Sequence, residues 1–101
     1  MHIQWPGSIT WDESKHRRNL IAHRVDFAGL VQFFDGDLVT WEDRREAYGE
    51  FRLQSIGYLN DMVLFVVWSP RGFAGETAHL ISARRALKHE AQIWLRQYAK
   101  N

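Results

Sequence analysis

Apolar residues fall along the chain with a period that changes from segment to segment, and the changes mark out its elements. Ile9 to Trp11 reads as a strand that leads into a first helix running to about Ala22. Two caps compete for the start of that helix: Thr10 with Glu13 as a capping box, or Asp12 alone. Asp26 caps a second helix, in which Phe27, Leu30, Val31 and Phe34 fall at i, i+3, i+4 and i+7 and form a core face. Asp35-Gly36-Asp37 closes it with a turn. Leu38 to Trp41 predicts a short strand, and Glu42 to Gly49, with no apolar periodicity, an exposed loop. Phe51 to Tyr58 and Met62 to Ser69 predict two strands joined through Asn60-Asp61, a hairpin signal.

The uninterrupted run Met62 to Trp68 implies a central strand buried on both faces. Pro70, Gly72 and Gly75 mark a turn before a strand at Thr77 to Ile81. Ser82 then caps a last helix, on which Ala83, Ala86, Leu87, Ala91, Trp94, Leu95 and Tyr98 form an apolar stripe. At the other end, Met1, Ile3 and Trp5 alternate before Pro6-Gly7, so residues 1–8 read as an edge strand or a loose extension. The order predicts one α+β domain over residues 1–101: two N-terminal helices, a mostly antiparallel sheet of about four strands, and a C-terminal helix packed on it.

Composition narrows the class. In a chain of 101 residues, 14% aromatic content supplies enough apolar area for one core without staples. Cysteine is absent, which excludes disulfides, thiolate metal sites and a cysteine nucleophile, and fits a reducing, cytoplasmic setting. The longest apolar run, the seven residues Met62 to Trp68, falls far short of the ~20 a membrane-spanning helix needs. Net charge is only +1 but unevenly spread: residues 1–50 carry 6 Lys and Arg against 9 Asp and Glu, and residues 51–101 carry 7 against 3. A basic C-terminal half can meet phosphates; a solvated mixed-charge surface is the plainer reading.

None of the histidines His2, His16, His23, His79 and His89 forms an i, i+4 pair with another, and there is no phosphate loop or serine elbow. No metal or cofactor is expected. Cations at element ends remain. Arg71 follows the central strand, His79 sits in the next, and Arg84 and Arg85 open the predicted last helix, whose Lys88 lies one turn on. Lys15, Asn19 and His23 line one stripe of the first helix with Arg18 beside them, either a wet face or a basic one. Such groups suit RNA cleavage, because the ribose 2′-hydroxyl attacks the adjacent phosphorus and the protein supplies only positioning, charge and proton transfer. His23 and His79 are the candidates for the proton, Arg71 and Arg84 for the phosphate.

Trp11-Asp12-x-x-Lys15-x-x-x-Asn19-x-x-x-His23, Val25-x-Phe27, Phe34-Asp35, Arg52 ahead of Ile56-Gly57, and Ile81-Ser82-Ala83-Arg84-Arg85-Ala86 with Glu90 closely resemble the BrnT toxin family. The resemblance covers about residues 9–98. It implies a RelE-like fold and a ribonuclease toxin of a bacterial type II toxin–antitoxin system, which blocks translation in the cytoplasm. It further implies a BrnA-like ribbon-helix-helix antitoxin as partner, through which alone the toxin meets operator DNA. By analogy some of Lys15, His23, Arg52, Arg71, Arg84 and Arg85 line the RNA cleft; the expected assignment takes His23, His79, Arg71 and Arg84 as catalytic candidates and Lys15, Arg52, Arg85 and Lys88 as candidates for RNA binding. Two positions depart from the pattern: Ala22 stands where many members have Lys, and His79 where they have Arg. Pro70 also replaces a usual acidic residue. An alternative is therefore a catalytically weak module that binds a DNA-binding antitoxin as co-repressor.

Overall fold

A long apolar strand sets the architecture. In the computed structural model, which describes residues 6–99, β4 (Met62–Arg71) is the middle of a five-stranded sheet of order β1-β5-β4-β3-β2. The Met1 to Trp5 alternation lies outside the described residues. β1 (Ser8–Trp11) runs parallel to β5 (Thr77–Arg85), and β2 (Leu38–Glu42), β3 (Leu53–Leu59), β4 and β5 pair antiparallel. The sheet therefore has five strands rather than four. The lead-in segment before the first helix finds the open edge of β5 and becomes a full member.

β4 is buried on both faces, as its composition demands. On one face Leu64, Val66 and Trp68 meet Phe27, Leu30, Phe33 and Phe34; on the other Phe65 and Val67 meet Ile56, with Trp94 packed against them. Trp68 is 1% exposed, and its indole N–H donates to Ser55 Oγ at 2.8 Å, so the buried dipole is satisfied. Asn60 and Asp61 both take positive φ in the β3–β4 hairpin, as a tight two-residue turn requires. Gly57 on β3 has no room for a side chain: a Cβ there would lie 2.5 Å from Leu38 Cδ2 and 2.8 Å from Phe33 Cε2. That crowding is a physical reason for the Ile56-Gly57 pair.

The helices differ from the sequence expectation in two places. α1 (Glu13–His23) is capped by Asp12, which accepts from Ser14 N and Ser14 Oγ; Thr10 stays in β1 and turns its hydroxyl to His79. A 3-10 turn (Phe27–Leu30), capped by Asp26, passes into the short α2 (Val31–Asp35). The last helix, α3 (Lys88–Tyr98), starts six residues later than Ser82. Ser82 to Arg85 continue β5 because β4 is long enough to pair them: Val66 faces Ala83, Phe65 faces Arg84 and Leu64 faces Arg85. A bulge at Ile81 keeps Leu80 and Ala83 on one core face and turns Ile81 to the other. Glu90 then reaches back to accept from Leu87 N at 2.8 Å at the true start of α3.

The turn between α1 and α2 is pinned by His16. Its ring stacks on Phe27, with centroids 5.5 Å apart, while Nδ1 faces Glu13 at 3.1 Å and Nε2 faces Asp26 at 2.8 Å. Burial opposes its charged form, but the hydrogen bonds to Asp26 and Glu13 outweigh it, and the pKa is raised. A raised pKa contributes stability that is full below the ordinary imidazole value and is lost as pH rises through the raised one. Melting scans are expected to show wild type losing stability as pH rises through and above the ordinary imidazole range, with a flatter profile for His16→Gln. Parallel profiles for the two proteins would remove this role.

Candidate functional site

Where β1, β5 and β4 run side by side, the register brings polar residues onto one face. Thr10 stands opposite His79 across the parallel pair, and Ser69 stands opposite His79 across the antiparallel pair. Arg71, two residues beyond Ser69, shares that face because side chains alternate along a strand. α3 packs mainly over β2, β3 and β4 on this side and meets β5 at Arg84, so its main contacts lie away from the His79 end of β5 and from β1.

The half-buried His79 ring is oriented by Thr10, whose Oγ1 lies 2.9 Å from Nδ1. Among the described residues no protein group hydrogen-bonds its Nε2. Burial first, then the positive charges of Arg71 and Lys15, push the His79 pKa below the ordinary imidazole value, against the opposing pull of Glu50 and Asp12. The lowered pKa favours the neutral ring at neutral pH, and in the tautomer whose Nδ1–H donates to Thr10 the Nε2 lone pair can take a proton.

The loop after β2 delivers the rest. Asp43 N–H donates to the Arg52 carbonyl at 2.8 Å and closes the loop's base. The buried Asp43 carboxylate takes two 2.8 Å bonds from Arg45, whose guanidinium holds its pKa down to about 2. From this frame Glu50 extends to Arg52 at 3.0 Å and to Arg71 at 3.2 Å. Burial opposes the Glu50 charge, yet Arg52 and Arg71 keep its pKa below the usual carboxylate range. Arg52 also lies over the Tyr48 ring, 3.9 Å from its centroid. Ser69 Oγ anchors the adjoining strand by donating to the Phe51 carbonyl at 2.7 Å.

The structure thus brings together Arg71, Arg52, His79 and Lys15. Arg84, Arg85 and Lys88 stand elsewhere. Arg84 lies in β5, not in the first turn of a helix; its guanidinium spans both Glu90 oxygens at 2.8 and 2.9 Å, a carboxylate partner at the start of α3, and covers the Phe65 ring. Arg85 lies against Met62 Sδ, and Lys88 is exposed as the first residue of α3. His23, exposed at the end of α1, shares with Lys15 a groove between α1 and β5. Two members of the cluster were not expected from sequence, Glu50 and Thr10. The signal for Glu50 was its spacing from Arg52, since residues two apart in extended chain share a side.

The model of the BrnT toxin family, described as the ribonuclease toxin BrnT of type II toxin–antitoxin systems, matches residues 11–90. The 1.1 Å crystal structure of the Brucella abortus ribonuclease toxin BrnT superposes with a TM-score of 0.61 at 32% sequence identity, covering 80% of this chain and 97% of that one. A comparison with curated proteins gave no match. With the family pattern running from Trp11 through the His79 strand to Glu90, and the fold shared, the chain belongs to the BrnT family of type II toxin–antitoxin ribonuclease toxins.

Proposed function

We propose that this chain is a RelE-like endoribonuclease that cuts RNA without a metal ion and so stops translation. The observation that carries the reading is the half-buried His79 imidazole, held by Thr10 on the face that also carries Arg71, with Glu50 fixing the guanidinium. RNA supplies its own nucleophile. The 2′-oxygen bonds to phosphorus as its proton passes to His79 Nε2, and the bond from phosphorus to the 5′-oxygen breaks as that oxygen takes a proton from the Lys15 ammonium. The products are a 2′,3′-cyclic phosphate and a 5′-hydroxyl. Arg71 and Arg52 stabilise the charge that accumulates on the phosphoryl oxygens.

The partner in this reading is a ribbon-helix-helix antitoxin that masks the His79 face and alone contacts operator DNA. Among the described residues no helix is long and apolar enough to cross a membrane, which is compatible with action on cytoplasmic RNA. The test is expression of the chain without its partner, followed by incubation of purified protein with RNA in excess chelator. Growth arrest and fragments ending in 2′,3′-cyclic phosphate are expected. Intact RNA with tight antitoxin binding would leave the co-repressor reading.

A further inference from the structure

A second basic surface adjoins the His79 cluster. Lys15, Arg18 and His23 on α1 face Ile81 and Ser82 on β5 across a groove of about 260 Å³, with Ala22 and Asn19 completing its wall. Two features of the fold build it. Asn19 is buried and bonds both the N–H and the carbonyl of Ala83, so it clamps α1 along the edge of β5 just beyond the end of β1. The bulge at Ile81 then offsets Ser82 toward the helix side.

The basic side chains of this groove are unpaired among the described residues. No carboxylate lines it, and among the described residues none of Lys15, Arg18 and His23 forms an ion pair. The nearby acids bond elsewhere: Asp12 caps the helix at Ser14 and acts on Lys15 only through space, and Glu13 is bonded to Trp11 and His16. Arg18 donates only to the Ser14 carbonyl and hydroxyl, at 3.4 and 3.3 Å. Like charges three and four residues apart on a helix repel, and an anionic ligand relieves that repulsion.

Resting on the ribonuclease reading, we propose that this groove is a second phosphate subsite, which holds the sugar-phosphate backbone of single-stranded RNA beside the scissile phosphate. Lys15 joins the two sites, for it lines the groove and its charge is felt at His79. Ser82 lies three residues beyond His79 on the same strand, about 10 Å away, so one short oligonucleotide spans both. Arg18 and His23 donate to backbone phosphates, Ser82 adds a hydroxyl, and Ile81 and Ala22 give an apolar floor for a ribose or base.

The experiment uses fully 2′-O-methylated RNA, which has no nucleophile, so binding is measured apart from cleavage. Anisotropy titrations across a salt series compare wild type with Arg18→Ala/His23→Gln, whose altered side chains are both exposed and whose fold is checked by circular dichroism. The double variant is expected to bind about tenfold more weakly, with the slope of log affinity against log salt reduced by about 0.7 for each phosphate that is no longer neutralised. On cleavable RNA the loss is expected in KM. Equal affinity and slope in the two proteins would overturn the subsite. So would a variant that keeps RNA binding but loses the antitoxin, since the groove would then hold an acidic protein segment. RNA cut normally without groove-dependent binding sinks the subsite alone; groove-dependent binding without cleavage sinks the catalytic reading alone.

Discussion

Arg71→Ala is expected to lower kcat by about 10²- to 10³-fold, the range seen when one preorganised donor to a developing oxyanion is removed. Arg84→Ala is expected to leave kcat within a few-fold of wild type. Both were cations at element ends in the sequence, and their surroundings separate them. Arg71 is half-exposed on the His79 face, tied to the protein by one 3.2 Å contact with Glu50, and free to turn its remaining N–H groups to a phosphate. Arg84 spends its fork on both Glu90 oxygens and its face on Phe65. Its removal leaves a buried carboxylate at the start of α3 without its cation, a stability loss of about 2 kcal/mol once partial exposure is allowed for.

A second readout keeps the Arg71 prediction from resting on activity alone. After burial, Arg71 is the leading cause of the lowered His79 pKa. A base with a lowered pKa gives activity that rises with pH through a value below 6.5 and then levels off. In Arg71→Ala the residual activity should rise at a higher pH, because the imidazolium no longer faces that charge. An unchanged midpoint, or an Arg84→Ala variant as inactive as Arg71→Ala, would move the phosphate site away from Glu50.

The elements legible in the sequence were those whose apolar pattern has a single solution. Met62 to Trp68 had to be central, Asn60-Asp61 had to turn, and Phe27, Leu30 and Phe34 had to be core, although Val31 of the same predicted face is exposed and Phe33 is buried in its place because the segment opens as a 3-10 turn. Ser82 to Arg85 misled because a serine before an alanine and two arginines is also a good helix start; pairing with β4, which a local reading cannot weigh, decided for strand. The candidate cluster was half legible for a related reason. Arg71, Arg52, His79 and Lys15 announce themselves as basic groups near strand and helix ends. Their convergence depends on strand register and on a loop held by the buried Asp43, whose role nothing in its neighbourhood marks. Glu50 and Thr10 acquire meaning only once β1 and that loop are placed.

Asn19 carries the largest expected effect on stability. It stands mid-helix on a polar stripe, where sequence reads it as surface, yet it is 5% exposed. Its Nδ2 donates to the Ala83 carbonyl at 2.8 Å and to the Val25 carbonyl at 2.9 Å, and its Oδ1 accepts from Ala83 N–H at 3.0 Å. The amide thus takes the place of a neighbouring strand along β5 after β1 has ended, and also fixes the chain leaving α1. Asn19→Ala leaves three backbone groups without partners at about 1 to 3 kcal/mol each, partly offset where water enters, so a net loss of about 3 kcal/mol is expected. For a domain of this size that lowers the melting temperature by about 15 °C. Asn19→Asp, of nearly the same shape, sharpens the test. Its carboxylate still accepts from Ala83 N–H but faces two carbonyls with no proton to give, so burial and repulsion raise its pKa. Protonation restores one donor, so this variant should gain stability relative to wild type as pH falls through that raised value. Melting within a few degrees of wild type for Asn19→Ala, or an Asn19→Asp deficit indifferent to pH, would show that α1 is held to β5 by something other than this amide.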